Sequence, residues 1–356
     1  MLLEKAKIYG VDGVGQSSPS LTRTDSAEGL TYSVGASEIK SDFDKCFPWS
    51  DMQEVVDDSG NVFIRIPKFY SKVTKNANGT YKHQISGFRY DGFSTLFVDG
   101  KGNEIDYVLV GKYEASGSSA KAESKSGKTC LVNITLPGMR TACKANGEGY
   151  QQYDFLIDAI IKELFMIEFA TTNSQAIMKG WTASNSAALT TGHTDNVKTA
   201  SGSWNTNRAE GDTGCNTDGH HACKYRGIEN LWGNVWTWCD GITFSDNKVY
   251  ICLDPTKYVS ENTAQPYNYV GDRATGSGYI TKIDYFDKFP LLGYATALGE
   301  AENTHYCDYY WTGGTVLSVG GSWGSGSAAG LWAWLGNSDA SVSYSYFGGR
   351  LCYKPL

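Results

Sequence analysis

Proline is scarce in this chain, runs of basic residues are absent, and no apolar stretch reaches the length of a membrane span. With eight prolines among 356 residues, most turns are left to the 41 glycines. A net charge of −7 without a basic run argues against binding to nucleic acid through its phosphates. Since no run of about 18 apolar residues occurs, we expect no membrane insertion.

The amino terminus and the cysteines also lack familiar patterns. Residues 1–15, MLLEKAKIYGVDGVG, contain no apolar segment of signal-peptide length, so we expect synthesis in a cytoplasm without export by the general route. The nine cysteines are an odd number at irregular spacing. We therefore expect free, buried thiols rather than a disulfide framework.

What the chain has in abundance is glycine and aromatic residues, including 23 tyrosines and 10 tryptophans. This composition favours short strands and many turns over helical bundles. We predict an α+β protein in which a β-rich amino-terminal region, residues 1–105, attaches and oligomerises. Residues 106–356 are expected to form a second domain, with long irregular loops, that binds the ligand.

Local patterns place one hairpin and one helix. The Asn78-Gly79 pair between two β-prone runs predicts a hairpin. Residues 153–171 have apolar side chains at three- and four-residue steps and Asp154 near the start, which predicts a helix. Glu168 lies among apolar neighbours in this segment, and it either hydrogen-bonds across the core or faces solvent.

The carboxyl-terminal segment, residues 320–350, is nearly free of charge. Its sequence, GGSWGSGSAAGLWAWLGNSDASVSYSYFGGR, has one charged residue, Asp339, before the closing Arg350. Depletion of charge with enrichment of tyrosine and tryptophan is typical of binding surfaces. A buried β-core near the terminus would show the same composition, so both interpretations stay open.

Two motifs in a fixed order carry a resemblance. Residues 232–240, WGNVWTWCD, precede residues 320–323, GGSW, and then Gly349-Arg350-Leu351. This order resembles the C-type lectin fold of the formylglycine-generating-enzyme type, in which GNVWEW-like, GGSW-like and GFR-like stretches follow one another. The resemblance covers residues 106–356 and implies that fold there.

The enzymes of that family use paired cysteines just after the GGSW-like motif. Here residues 324–327 read GSGS, and no cysteine occurs between residues 320 and 349. Because a thiol must be present to act as nucleophile or copper ligand, the enzymatic function is not supported. We predict a binding protein without catalytic residues and without a cofactor.

The same region resembles the variable proteins of diversity-generating retroelements, which include phage receptor-binding proteins. In that family, errors copied at template adenines change AAY codons to NNY codons, which cannot specify tryptophan. Against an asparagine-rich template reconstructed from the family pattern, the resemblance implies these variable, ligand-contacting positions: Gly324, Ser325, Ala328, Ala333, Leu335, Gly336, Asn337, Asp339, Val342, Tyr344, Tyr346 and Phe347. The implied scaffold residues are Trp232, Trp236, Trp238, Trp323, Trp332, Trp334 and Arg350.

Residues 341–346 alternate serine with Val342, Tyr344 and Tyr346. In a strand this period puts the three larger side chains on one face and the serines on the other. A display surface would hold the serines inward and the diverse residues outward. A half-buried edge strand with its aromatic side chains inward fits the period equally well.

Metal sites have weak support in the sequence. The cysteines and histidines at positions 215, 220, 221 and 223 cluster within nine residues, but their spacing matches no zinc pattern. Asp240, Asp246 and Asn247 offer oxygen ligands without a defined calcium spacing. We therefore predict no metal site.

These observations together predict a phage tail receptor-binding protein that displays residues 324–347 to a bacterial surface protein or glycan. It would be assembled in the host cytoplasm, reside in the virion, contact other tail proteins and form a homotrimer, as the resemblance implies. The alternatives are a formylglycine-generating-type oxidase, a cellular retroelement-diversified binding protein and a tail lectin of fixed sequence.

Overall fold

The computed structural model describes residues 2–16, 21–184, 187–205, 218–300 and 308–355. Within them the helices are α1 (Leu2–Lys5), α2 (Leu136–Lys144) and α3 (Phe155–Phe169). The first strands are β1 (Ile8–Val14), β2 (Thr22–Asp25), β3 (Tyr32–Val34), β4 (Glu38–Ser41), β5 (Gln53–Val56), β6 (Val62–Pro67), β7 (Tyr70–Lys75), β8 (Tyr81–Ser86), β9 (Tyr107–Gly111), β10 (Ser116–Ser118), β11 (Lys121–Glu123) and β12 (Tyr150–Gln152). The later strands are β13 (Ser201–Asn205), β14 (His221–Tyr225), β15 (Ile228–Glu229), β16 (Trp236–Ser245), β17 (Lys248–Ile251), β18 (Asn268–Asp272), β19 (Gly278–Phe286), β20 (Phe289–Gly299), β21 (Tyr309–Thr312), β22 (Val316–Gly320), β23 (Gly330–Ser338), β24 (Phe347–Gly348) and β25 (Leu351–Tyr353).

The fold is β-rich with few helices, as the composition predicts. The largest sheet runs in the order β18-β17-β16-β22-β23-β21-β19-β20, with β24 parallel to β16. Two five-stranded sheets have the orders β12-β25-β9-β6-β5 and β15-β14-β13-β4-β3. A four-stranded sheet, β2-β1-β8-β7, contains the predicted hairpin, since β7 and β8 flank Asn78-Gly79 and pair antiparallel.

Strands from both sides of residue 105 share sheets. β6 pairs with β9 antiparallel, with Ile66 opposite Val108, and β4 pairs with β13. One hydrophobic cluster runs from Tyr9 to Cys352. The expected boundary between residues 105 and 106 therefore does not separate two hydrophobic cores, because long-range strand pairing joins the two regions.

Helix α3 occupies the centre of the molecule. Asp154 caps its amino terminus by accepting from the Ile157 amide at 2.9 Å, and Ala170 ends it in the left-handed region at φ 50°. All fifteen helical residues are buried, and the helix packs against β1, β8, β16 and β20. The predicted helix over residues 153–171 is confirmed within two residues at each end.

Two ion pairs let charged residues of α3 lie in the core. Glu168 is fully buried and receives hydrogen bonds from the Arg226 guanidinium and from the Tyr225 hydroxyl at 3.0 Å, so it bonds across the core. One turn apart, Lys162 Nζ lies 2.5 Å from Asp158 Oδ2. Such pairing satisfies charges whose burial alone would be costly.

Candidate ligand-binding groove

Successive side chains of strand β23 point alternately to the two faces of the largest sheet. Trp332 and Trp334 point toward α3, where the Trp332 ring lies 5.9 Å from the Phe165 ring and Lys162 Nζ lies 4.6 Å above Trp334. Ala333 and Leu335 belong to a second hydrophobic cluster on the opposite side. The side chains of one strand therefore support the core and build a second surface, as the two-residue period requires.

The two sequence motifs meet through main-chain hydrogen bonds. The Asn234 carbonyl accepts from the Trp323 amide at 2.8 Å, and the Trp236 amide donates to the Tyr346 carbonyl at 2.8 Å. The first motif thereby holds residues near both ends of the carboxyl-terminal segment. Because main-chain atoms make these bonds, they do not depend on the side chains at positions 323 and 346.

Asn234 is itself fixed by a buried acid. Its backbone is left-handed at φ 60°, its Oδ1 accepts from the Leu189 amide at 2.7 Å, and its Nδ2 donates to Glu114 Oε2. Glu114 is fully buried and its Oε1 accepts from the Val235 amide at 3.2 Å. Burial raises the pKa of Glu114 to about 7, because desolvation disfavours the carboxylate.

The loop that follows GGSW is also held through its main chain. Gln175 Nε2 donates to the carbonyls of Gly326 at 2.9 Å and Ala329 at 2.6 Å. The Gly326 amide in turn donates to the Thr182 carbonyl at 2.8 Å. Gly324, within this loop, is exposed. Such anchoring leaves the exposed side-chain position free to change.

Residues 341–346 form no strand: positions 341, 345 and 346 are in turns and positions 342–344 are irregular, so a strand is wrong there. The main chain of Tyr344 accepts from the Asn133 amide at 3.1 Å, and only Phe347 enters β24 beside Trp236. The three serines are exposed, whereas Val342 and Tyr346 are half-buried. The display orientation with the serines inward is therefore not observed, and of the three larger side chains only Tyr344 is exposed, at 50%.

The tyrosines of this segment form one wall of an open groove. The rings of Tyr344 and Tyr346 are stacked, with centroids 5.2 Å apart and an interplanar angle of 15°. Burial raises the pKa of Tyr346. The groove has a volume of about 570 Å³ and is lined by Trp236, Trp311, Gly324, Ser325, Leu335, Asn337, Ser338, Asp339, Val342, Tyr344, Tyr346 and Phe347.

Nine of the twelve expected variable positions line this groove, all except Ala328, Ala333 and Gly336. Ala333 is fully buried. Gly336 faces the core, where a Cβ atom would lie 2.6 Å from Arg273 Nη1. Ala328 is half-buried outside the groove. Ala333 and Gly336 therefore have no ligand-facing surface, because the strand period turns Gly336 inward and packing covers Ala333.

Two of the nine groove positions hold buried side chains that pack below the surface of the groove. Phe347 is 1% exposed and stacks on Trp238 with ring centroids 4.6 Å apart. Leu335 is 8% exposed and pairs with Trp311 across β21 and β23. A ligand would therefore meet mainly the remaining seven positions.

The expected scaffold residues are mostly in the core. Five of the six tryptophans are buried, namely Trp232, Trp236, Trp238, Trp332 and Trp334, and Trp323 is half-buried. Arg350 is 1% exposed, and its guanidinium donates to the carbonyls of Gly111 at 2.9 Å, Glu229 at 2.7 Å and Asn230 at 3.0 Å. Arg350 thus ties its own segment to those of Gly111 and of Glu229 and Asn230.

No protein-family model matches the chain, and no curated protein matches it. Among solved structures, the chain is similar to "Major Tropism Determinant U1 Variant", with a TM-score of 0.26 and 10% sequence identity over 84% of this chain and 83% of that one. A TM-score this low establishes neither a shared fold nor a shared function.

The other candidate sites have structural partners. Asp240 binds the Arg140 guanidinium through both oxygens, at 2.6 and 2.8 Å, and His221 Nδ1 lies 2.6 Å from Asp218 Oδ1. Cys215 lies outside the described residues. The part of the chain that is described contains no cluster of three or more metal-ligating side chains, and none of its helices is long and apolar enough to cross a membrane.

Sequence reasoning missed three aromatic residues at or near the groove. Trp311 lines it, and Tyr309 and Tyr279 continue from Trp311 along the sheet, with ring centroids 4.3 and 5.0 Å apart. Residues 309–311 read Tyr-Tyr-Trp, which shows no alternation of residue type; the structure buries Tyr310 and leaves Tyr309 and Trp311 half-buried, so residues 309 and 311 lie on one face. Their proximity to residues 320–350 depends on strand pairing that no local pattern reveals.

Proposed function

We propose that this protein is a phage tail receptor-binding protein whose groove binds a ligand on the bacterial surface. The observation that carries the proposal is the gathering of nine expected variable positions in one groove. Beneath them, five of the six expected scaffold tryptophans are buried. A rigid scaffold under aromatic and small polar side chains supplies contact area at low entropic cost.

The proposal includes a C-type lectin fold over residues 106–356 and diversification of the groove by a retroelement. The order of the motifs supports the C-type lectin fold. The Trp323 and Trp236 amides hydrogen-bond the two motif regions to each other, so both regions contribute to one structural unit. The exposure of Gly324, Asn337 and Asp339 supports diversification of the groove. Diversification would be tolerated at such positions because substitutions on an exposed surface usually change stability little.

Adsorption to cells tests the binding function. Fluorescently labelled protein is incubated with a panel of bacterial strains, and the bound fraction is compared with that of the Asn337→Ala/Tyr344→Ala double variant. We expect adsorption to at least one strain, reduced at least tenfold by the double variant. Tyr90→Ala is the control, because Tyr90 is similarly exposed but contacts Ala6 and Phe93. Undiminished adsorption by the double variant would refute a role for the groove.

Gene sequencing tests diversification separately. Substitutions concentrated at the groove positions among many phage isolates would support a retroelement, whereas uniform sequence would favour a tail lectin of fixed sequence. A neighbouring reverse-transcriptase gene with a near-copy of the coding stretch for residues 320–350 is the expected genomic context. A cellular variable protein would be found outside phage genomes.

Two further parts of the proposal have their own tests. A homotrimer would add avidity to weak single sites, and analytical ultracentrifugation showing a monomer at micromolar concentration would contradict it. The oxidase alternative predicts peptide oxidation in a cell-free assay. We expect none, because residues 324–327 supply no thiol.

A further inference from the structure

The groove continues into a line of aromatic rings on the same sheet face, here named the aromatic row: Trp236, Trp311, Tyr309 and Tyr279. Successive ring centroids are 5.6, 4.3 and 5.0 Å apart. The row arises because Tyr309 and Trp311 are two residues apart on β21 and so lie on the same face. Tyr279 of β19 lies directly opposite Tyr309 in the sheet. Trp311, Tyr309 and Tyr279 are half-buried, so parts of their rings face solvent.

Residues 341–346 also contribute aromatic surface to the groove. Tyr344 and Tyr346 are stacked there, and Tyr344 is 50% exposed. A ligand in the groove therefore meets ring surface from this tyrosine pair and from Trp311, and the aromatic row extends that surface beyond the groove. Such an open, elongated surface fits a chain-like ligand better than a compact small molecule.

Small polar groups lie between these rings. Ser325, Asn337, Ser338 and Asp339 line the groove, and the hydroxyls of Tyr279 and Ser327 lie 3.1 Å apart at the far end of the aromatic row. Hydroxyl, amide and carboxylate groups can together donate to and accept from a polyhydroxylated ligand. Aromatic faces supply the apolar contact that such a ligand needs on its C–H surfaces.

Charge narrows the ligand class. Among the described residues that line the groove, Asp339 is the one that carries a charge, and none is a lysine or an arginine. Phosphate and carboxylate polymers are bound through arginine and lysine, which this lining lacks. The protein also carries a net charge of −7. An anionic surface polymer would therefore be repelled, and a neutral ligand is favoured.

Strand pairing disfavours an extended peptide. Peptides that add to a sheet need a strand edge with free main-chain donors and acceptors. β23, which supplies the floor of the groove, is paired on one side with β22 and on the other with β21. The groove floor thus offers side chains and no free strand edge.

We propose that the groove and the aromatic row bind a neutral glycan chain, with sugar rings against the aromatic faces and hydroxyls bonded to Asn337, Asp339 and Ser325. This inference rests on the proposed surface-binding function and specifies its ligand. The row gives the glycan a constant part of the site, outside residues 320–350, while the expected variable positions select among glycans.

The test uses an adsorbing strain from the panel and treats its cells in three ways before labelled protein is added. Periodate cleaves vicinal diols of surface sugars, protease removes surface proteins, and quenched periodate serves as control. We expect periodate to reduce adsorption at least tenfold. If adsorption survives periodate treatment but is lost after protease treatment, the ligand is a protein and the glycan inference is overturned. The surface-binding function would remain intact in that case. Adsorption to no strain would refute both.

Variants of the aromatic row supply the second arm. Tyr309→Ala and Tyr279→Ala should each reduce adsorption at least tenfold, whereas Tyr309→Phe, which keeps the ring, should retain most of it. Tyr90→Ala is the matched control, and circular dichroism with thermal unfolding verifies that each variant folds. Periodate-sensitive adsorption that both folded alanine variants retain would overturn the role of the row. If either alanine variant fails to fold, Tyr279→Leu and Tyr309→Leu test the same loss of ring surface.

Discussion

Gly336 and Asn337 are neighbours on β23 whose side-chain positions lie on opposite faces of the sheet. A Cβ atom at Gly336 would lie 2.6 Å from Arg273 Nη1 and 3.2 Å from Phe244 Cε2. Arg273 has little freedom to yield, since it is 5% exposed and lies 3.8 Å over the Phe244 ring. Its guanidinium also donates to the carbonyls of Asp246 and Gly314.

Gly336→Ala should therefore lower the free energy of unfolding by about 1–3 kcal/mol, the usual cost of overpacking. The backbone at Gly336 is not left-handed, so the cost is steric. Asn337→Ala removes an exposed side chain and should change stability by no more than about 0.5 kcal/mol. The two substitutions together test which face of β23 can vary.

Urea unfolding followed by tryptophan fluorescence measures both variants against the parent protein. The expected result is a lower midpoint for Gly336→Ala with an unchanged slope, and a parent-like curve for Asn337→Ala. Equal stability of Gly336→Ala and the parent would refute the inward assignment of position 336. It would also restore that position to the expected variable set.

Three further predictions concern buried residues. Phe347→Ala, which removes the ring stacked on Trp238, should cost about 3–5 kcal/mol of stability in the same urea assay, and a loss below 1 kcal/mol would contradict its burial. Arg350→Met, which abolishes the carbonyl contacts of a buried cation, should cost several kcal/mol, and parent-like unfolding would show that Arg350 does not tie its three segments together. Burial raises the folded-state pKa of Glu114 from 4.5 to about 7. Protonation of Glu114 therefore stabilises the fold fully below pH 4.5, and this stabilisation is lost as pH rises through 7. The loss in the free energy of unfolding is at most about 3 kcal/mol. Glu114→Gln should remove that part of the pH dependence, measured by unfolding at pH 5, 6, 7 and 8, and an unchanged slope would refute the burial effect.

The elements that sequence predicts well are those specified by contiguous residues. Helix α3 is marked by its apolar period and its Asp154 cap, and the β7–β8 hairpin by Asn78-Gly79. Helix α2 is capped by Thr135, which accepts from the Gly138 amide at 3.2 Å, but Pro137 and Gly138 stand in its first turn. Proline there is compatible with a helix, but the two residues together indicate a turn to local reasoning.

The structure of the groove depends on long-range contacts that local sequence patterns do not predict. Residues 341–346 have the period of a strand, yet their main chain bonds to Asn133 and Trp236 instead of to a neighbouring strand along its length. Similarly, the pairing of β6 with β9 across residue 105 is a long-range contact that composition does not reveal. Residues 232–240 and 320–350 are hydrogen-bonded to each other, a contact that the order of the two motifs does not by itself specify.

A photocrosslink from the groove tests most directly whether it contacts a surface ligand. Benzoylphenylalanine replaces Tyr344 in one variant and Tyr90 in another, and each labelled protein is irradiated on cells of an adsorbing strain. We predict a covalent adduct with a cell-surface molecule from position 344 and none from position 90. An adduct from position 90 alone, or none from position 344 while that variant still adsorbs, would contradict binding through the groove.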